Sequence, residues 1–93
     1  MKNHEITRKE IIETIREYDK KGKRSFLREY GFQKSRRYFL GFENHEYPSK
    51  AIWGVAHKFL PPEFKPLKSP EFSGGANTVA RKLKRLGFEI LLR

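Results

Sequence analysis

Between Thr7 and Lys21 the apolar residues Ile11, Ile15 and Tyr18 recur at i, i+4 and i+7, with Ile12 beside them. That period predicts a helix with one buried face. Its start is marked twice: Thr7 and Glu10 have the spacing of a capping box, and Ile6 ahead of the cap is placed to pack on Ile11 as a hydrophobic staple. Gly22 supplies the stop. A short second helix is expected from Phe26 to Tyr30, capped by Ser25 and ended by Gly31, which sets Phe26, Leu27 and Phe32 against the first.

From Arg36 to Phe42 the period changes to two. Tyr38, Leu40 and Phe42 fall on one face of a strand, and Arg37 and Phe39 on the other. Glu43-Asn44-His45 reads as a turn and Glu46-Tyr47-Pro48 as a short returning strand, which Pro48 confines to a sheet edge or terminates. Ser49 suits the N-cap of a third helix, Lys50 to Leu60, in which Ala51, Ile52, Trp53, Val55, Ala56, Phe59 and Leu60 leave so little polar surface that burial is required. Pro61-Pro62 ends it, and four prolines in the twelve residues to Phe72 predict an irregular loop. Ser73-Gly74-Gly75 then leads into a fourth helix, Ala76 to Leu86, with Val79, Leu83 and Leu86 inward. Gly87 is its left-handed cap, and Phe88, Ile90 and Leu92 alternate with Glu89 and Leu91 in a closing strand that pairs with the 36–42 strand. The pattern predicts a small α+β single domain: about four helices on a short two- to three-stranded antiparallel sheet.

Length agrees with one domain, since 93 residues support one core. Charge adds what the pattern does not contain. Twenty-one Lys and Arg against 11 Asp and Glu leave +10, a field that favours polyanionic partners such as nucleic acid or acidic lipid headgroups. The absence of Cys excludes disulfides, thiolate-zinc sites and a cysteine nucleophile. No apolar run approaches the roughly 18 residues that cross a bilayer, and the first residues lack the apolar core of a secretory signal, so a soluble intracellular protein is expected.

Two helix starts are the candidate anion sites: Ser49-Lys50, and Ser73-Gly74-Gly75 ahead of Ala76 and Asn77. Free N–H groups there attract phosphate, and a Gly-Gly turn can add more of them as a nest. Lys50 opposes its own helix dipole, at a cost of a few tenths of a kcal/mol unless an anion offsets it. The structural alternative is a tight turn with Lys50 pointing to solvent. Basic residues cluster at Lys20, Lys21, Lys23 and Arg24, at Lys34, Arg36 and Arg37, at Lys50 with Lys58, and at Arg81, Lys82, Lys84 and Arg85. The last cluster rides on one helix behind the Gly-Gly turn, the pattern of a DNA-backbone footprint. Five neutralised phosphates would give a log–log salt slope of roughly −4 to −5. Asn77 and Arg81 are candidates for base edges, against a simpler role in capping and phosphate contact. Tyr47 and Trp53 are candidates for stacking on an extruded base or lining a pocket for one, against a place in the core.

Catalysis has little support. His4, His45 and His57 lack metal-ligand spacing, and Asp19 is the single Asp, so a two-metal nuclease centre lacks its carboxylates. Glu63-Phe64-Lys65 imitates half of a nuclease motif but lies among prolines. His45 beside basic residues leaves acid–base RNA cleavage as a remaining option. No metal or cofactor is implied.

Tyr47-Pro48-Ser49-Lys50-Ala51-Ile52, Ala56-His57, Pro66-Leu67, Phe72-Ser73-Gly74-Gly75, Thr78-Val79, Leu83 and Leu86-Gly87-Phe88-Glu89-Ile90 together resemble the N-terminal head domain of McrA-like, HNH-containing modification-dependent restriction endonucleases. The similarity covers residues 36–93; the basic helical part, 1–35, lies outside it. In that family the head precedes reader modules and a C-terminal HNH nuclease, and is a non-catalytic DNA-binding module. The resemblance therefore implies a prokaryotic, cytoplasmic, nucleoid-associated role, duplex DNA as partner beside further domains of the same enzyme, and a preference for modified bases such as methylated cytosine. Family members often carry an acid directly after the Gly-Gly pair, where this chain has Ala76, which favours phosphate. The HNH motif is absent from these residues. The alternatives are an RNA- or single-strand-binding module, a small nuclease and a protein-docking domain.

Overall fold

A computed structural model describes residues 6–34, 37–60 and 76–93. Helix α1 spans Arg8–Lys21 and begins at the expected box: the Thr7 N–H donates to the Glu10 carboxylate at 2.7 Å, and Ile6 and Ile11 are both buried. Thr14, which the apolar spacing did not mark, also faces inward, because its hydroxyl is satisfied by the Glu10 carbonyl one turn back at 2.7 Å.

Helix α2 spans Lys23–Tyr30, three residues earlier than expected. Ser25 is not its cap. Gly22, at φ +89, ends α1 through its N–H to Tyr18 O (2.8 Å) and starts α2 by accepting from the Phe26 N–H (2.9 Å). A residue without Cβ reverses the chain in one step, so no loop separates the helices. Gly31 closes α2 in the left-handed conformation, and Phe26, Leu27 and Phe32 are buried as expected.

Strands β1 (Tyr38–Phe42), β2 (His45–Pro48) and β3 (Glu89–Leu92) form an antiparallel sheet in the order β2-β1-β3. Glu43 and Asn44 both have positive φ, the two-residue loop whose twist matches a hairpin, so His45 leaves the expected turn and pairs with Phe42. Pro48 sits at the end of the edge strand β2 opposite Phe39. The expected pairing of the last strand with β1 is present, Leu40 facing Ile90. Leu92, in phase with Phe88 and Ile90, is 60% exposed, because it pairs with Tyr38 at the far end of the ladder.

Helix α3 (Ser49–Ala56) is the hub, packing on α1, α2, β1, β2 and the helical turn before α4, and all of it except Lys50 is buried. Two details differ from expectation. Ser49 lies inside the helix rather than capping it, its hydroxyl donating to the Tyr38 carbonyl at 3.0 Å. The α-helix stops at Ala56 and continues as a 3-10 turn, His57–Phe59. Leu60 is extended (ψ 176°), the conformation that Pro61 demands of its predecessor.

The expected fourth helix begins with a π-wound turn, Ala76–Ala80, and continues as α4, Arg81–Arg85. Val79, Ala80 and Leu83 share its buried side. One core joins all these elements, with Phe26, Ile11, Ile15, Leu40, Ile52, Leu83, Val55 and Val79 fully enclosed. The 61–72 loop lies outside the described residues.

Candidate nucleic-acid interface

Leu83 fixes what α4 presents. With that side chain buried, Arg81, Lys82, Lys84 and Arg85 all point outward and are exposed, Arg81 and Arg85 one turn apart on the outermost line. The helix end is closed by Gly87 at φ +90, with the Gly87 N–H on Lys84 O (2.9 Å) and the Phe88 N–H on Leu83 O (3.1 Å). Lys84 and Arg85 fall where the dipole favours cations. Among the described residues, none of the four forms an ion pair. Lys82 is positioned instead by an aromatic face, its ammonium 5.4 Å from the centroid of the Trp53 ring.

Lys21, Lys58 and Arg8, by contrast, are engaged within the fold. Glu17 on α1, with a side chain only 12% exposed, takes Lys21 at 2.8 Å, Lys58 at 2.6 Å and the Tyr30 hydroxyl. Partial burial opposes its charge, but these donors outweigh that effect and hold its pKa down at about 2. Lys21 also meets Glu29 at 2.6 Å, and Lys58 donates to the Tyr30 hydroxyl at 2.7 Å. The expected basic pair of Lys50 and Lys58 is therefore not a free one: Lys58 belongs to a network tying α1, α2 and the 3-10 turn. Arg8 likewise works within the fold. Its guanidinium donates to Leu86 O at 2.9 Å and stacks 4.3 Å from the Phe88 ring centroid, offsetting the dipole end of α4. A cation in the first turn of α1, against that helix's own dipole, was the one sequence sign of this contact.

The remaining site residues of the sequence analysis scatter. Ser49 is buried with its hydroxyl committed to Tyr38, so its side chain faces away from any ligand. Lys50 is half-buried in the first turn of α3. Arg37 is exposed, 6.0 Å from the Tyr38 ring centroid. Asn77 belongs to the π-wound turn. Arg36, Ser73, Gly74 and Gly75 lie outside the described residues.

Tyr47 and Trp53 are core side chains, not an open pocket. Tyr47 is 2% exposed, packs edge-on against Tyr18, and its hydroxyl donates to Asp19 at 3.0 and 3.1 Å. Burial and the Asp19 carboxylate push its pKa up to about 12. Trp53 is 9% exposed and meets the His57 ring edge-on at 5.7 Å. His57 holds Nδ1 2.9 Å from Trp53 O, and burial, helped by nearby Lys82, lowers its pKa.

Carboxylates gather at the opposite kind of surface. Glu43, Glu46 and Glu89 surround an open groove of about 410 Å³ at the hairpin end of the sheet, with Arg93 bonded to Glu46. No group of three His, Asp or Glu among the described residues is placed to hold a metal ion, and no described helix is long and apolar enough to cross a membrane.

Comparison with known proteins places this geometry. A search of curated proteins finds no match. The solved structure of the Type IV phosphorothioation-dependent restriction endonuclease ScoMcrA superposes with a TM-score of 0.69 and 35% identity, over 96% of this chain and 13% of that one. This chain thus spans a small part of that enzyme's length. The family model for the ScoMcrA-like N-terminal head domain matches residues 4–91, extending the likeness through the first 35 residues where the motifs alone did not carry it. The chain belongs to the ScoMcrA-like N-terminal head-domain family.

Proposed function

We propose that this chain is a non-catalytic DNA-binding module of a restriction system, acting on duplex DNA in the cytoplasm beside further domains that carry the nuclease. The observation that carries the reading is the α4 face: four exposed cations with no ion-pair partner among the described residues, on a domain in which Lys21 and Lys58 are neutralised by Glu17. Arg81, Lys82, Lys84 and Arg85 contact backbone phosphates, joined by Lys50, Asn77, Arg36, Arg37 and the Ser73-Gly74-Gly75 turn. Ser49 contributes main chain alone. The acidic hairpin end, around Glu43, Glu46 and Glu89, repels phosphate and so turns away from the duplex.

The relative in the comparison is named for phosphorothioation, whereas the family resemblance implied methylated cytosine. Tyr47 and Trp53 offer no open face to a base, which favours a backbone clamp that binds modified and unmodified duplex alike. The same burial disfavours single-strand binding, which needs exposed stacking platforms. Fluorescence anisotropy across a salt series, with unmodified, cytosine-methylated and phosphorothioated duplexes and a matching single strand, tests this. Salt-steep binding to every duplex supports the clamp. A constant gap in favour of one modified duplex assigns the domain a reading role, and no binding at low salt rejects the DNA reading.

A further inference from the structure

A groove on α1 is a feature that the DNA reading does not yet use. Open and of about 620 Å³, it runs between α1 and the 3-10 turn, with Arg16 and Lys20 on one bank and Lys58 and Phe59 on the other. Arg16 and Lys20 are four residues apart, so they project from the same face of α1 one turn apart. Both are exposed, and neither is ion-paired among the described residues.

Glu17 lies in the groove, and an unpaired carboxylate there would repel a polyanion. Lys21, Lys58 and the Tyr30 hydroxyl already compensate it. The same bonds hold Lys58 in place as the far bank. With Glu29, which shares Lys21, the four cationic side chains of the lining stand against the three carboxylates of Glu13, Glu17 and Glu29, and the surplus lies with Arg16 and Lys20. Its field is positive without any rearrangement.

The groove is also connected to α4. The 3-10 turn that forms its far bank begins at His57, whose ring meets Trp53, and the Trp53 ring carries Lys82 on its face. Three residues of 3-10 helix rise only about 6 Å. Lys82, Trp53, His57 and the 3-10 turn thus form an unbroken path of contacts from α4 to the far bank of the groove.

We propose that the DNA footprint continues from α4 across the 3-10 turn into this groove, where Arg16 and Lys20 each take a backbone phosphate of the same duplex. The inference rests on the DNA reading above and assigns a contact role to the N-terminal part of the chain. A duplex is the fitting occupant because its charges recur every 1.7 Å or so of axis along such a path, whereas a small anion has no enclosed seat among exposed side chains.

Three double variants of equal charge loss test it: R16Q with K20Q in the groove, R81Q with R85Q on α4, and K9Q with R28Q, which line neither. The salt dependence of duplex binding is measured by anisotropy, with circular dichroism to verify the fold. The groove and α4 variants are each expected to flatten the log–log slope by about 2, and the third to leave it unchanged. If the groove variant keeps the wild-type slope while the α4 variant flattens it, the footprint ends at α4 and the DNA reading survives alone. Equal flattening by the groove variant and K9Q with R28Q makes the effect one of net charge and overturns the groove. A wild-type chain that does not bind duplex overturns both readings.

Discussion

Two basic regions of this molecule, built from the same residue types, do opposite things. Around Glu17, Lys21 and Lys58 are drawn into a network with Tyr30 and Glu29 that ties three elements together. On α4, Arg81, Lys82, Lys84 and Arg85 stand on a helix whose only buried member in that stretch is Leu83, and no acid of another described element reaches them. The difference teaches that net charge locates a partner only after the internally spent cations are subtracted. A lysine beside a half-buried carboxylate supports the fold, and one opposite a buried leucine is available to a ligand.

The contrast yields tests of graded size. Reversing charge with R81E and R85E is expected to weaken duplex binding on the order of 100-fold at moderate salt, with the urea midpoint unchanged, because exposed cations contribute little to stability. A lowered midpoint instead would give α4 a structural role. Glu17→Ala is expected to do the reverse in kind: a loss of about 2 kcal/mol in urea unfolding, since it takes one bond each from Lys21, Lys58 and the Tyr30 hydroxyl and leaves only the Lys21–Glu29 and Lys58–Tyr30 contacts of the network. Tyr47→Phe removes the bonds to Asp19 and should cost about 1 kcal/mol without altering the salt slope of DNA binding. A pH profile reads the Glu17 network in a second way. Because the Glu17 pKa is depressed from 4.5 to about 2, its contribution is fully present above about pH 4.5 and is lost as pH falls toward 2. Glu17→Gln should flatten that part of the stability profile, and an unchanged profile would remove Glu17 from the network.

Legibility followed the range of the interactions. The capping box at Thr7, the glycine stops at Gly22, Gly31 and Gly87, and the alternation of the strands are local devices, each readable within a few residues. Misplaced boundaries arose where a local signal had a distant competitor. Ser25 has good capping chemistry, but Gly22 served both helices first; Ser49 looks like a cap, but its hydroxyl is claimed by Tyr38 across the sheet. Of the candidate site, the α4 stripe was readable because Val79 and Leu83 announce which side is inward. The fate of Lys58 was not, since its partners Glu17 and Tyr30 lie 41 and 28 residues away along the chain.

By itself, the sequence determined the kinds and order of the elements, the central place of the apolar α3 helix and the surplus of positive charge, because periodicity, turn chemistry and composition act through near neighbours. Tertiary structure alone decided which cations are spent and which are presented, that Tyr47 and Trp53 are enclosed, and that Arg8 closes the far end of α4. Ion pairing, burial and stacking depend on atoms a few ångströms apart in space, and only the folded chain brings residues as distant as Arg8 and Leu86 within that reach.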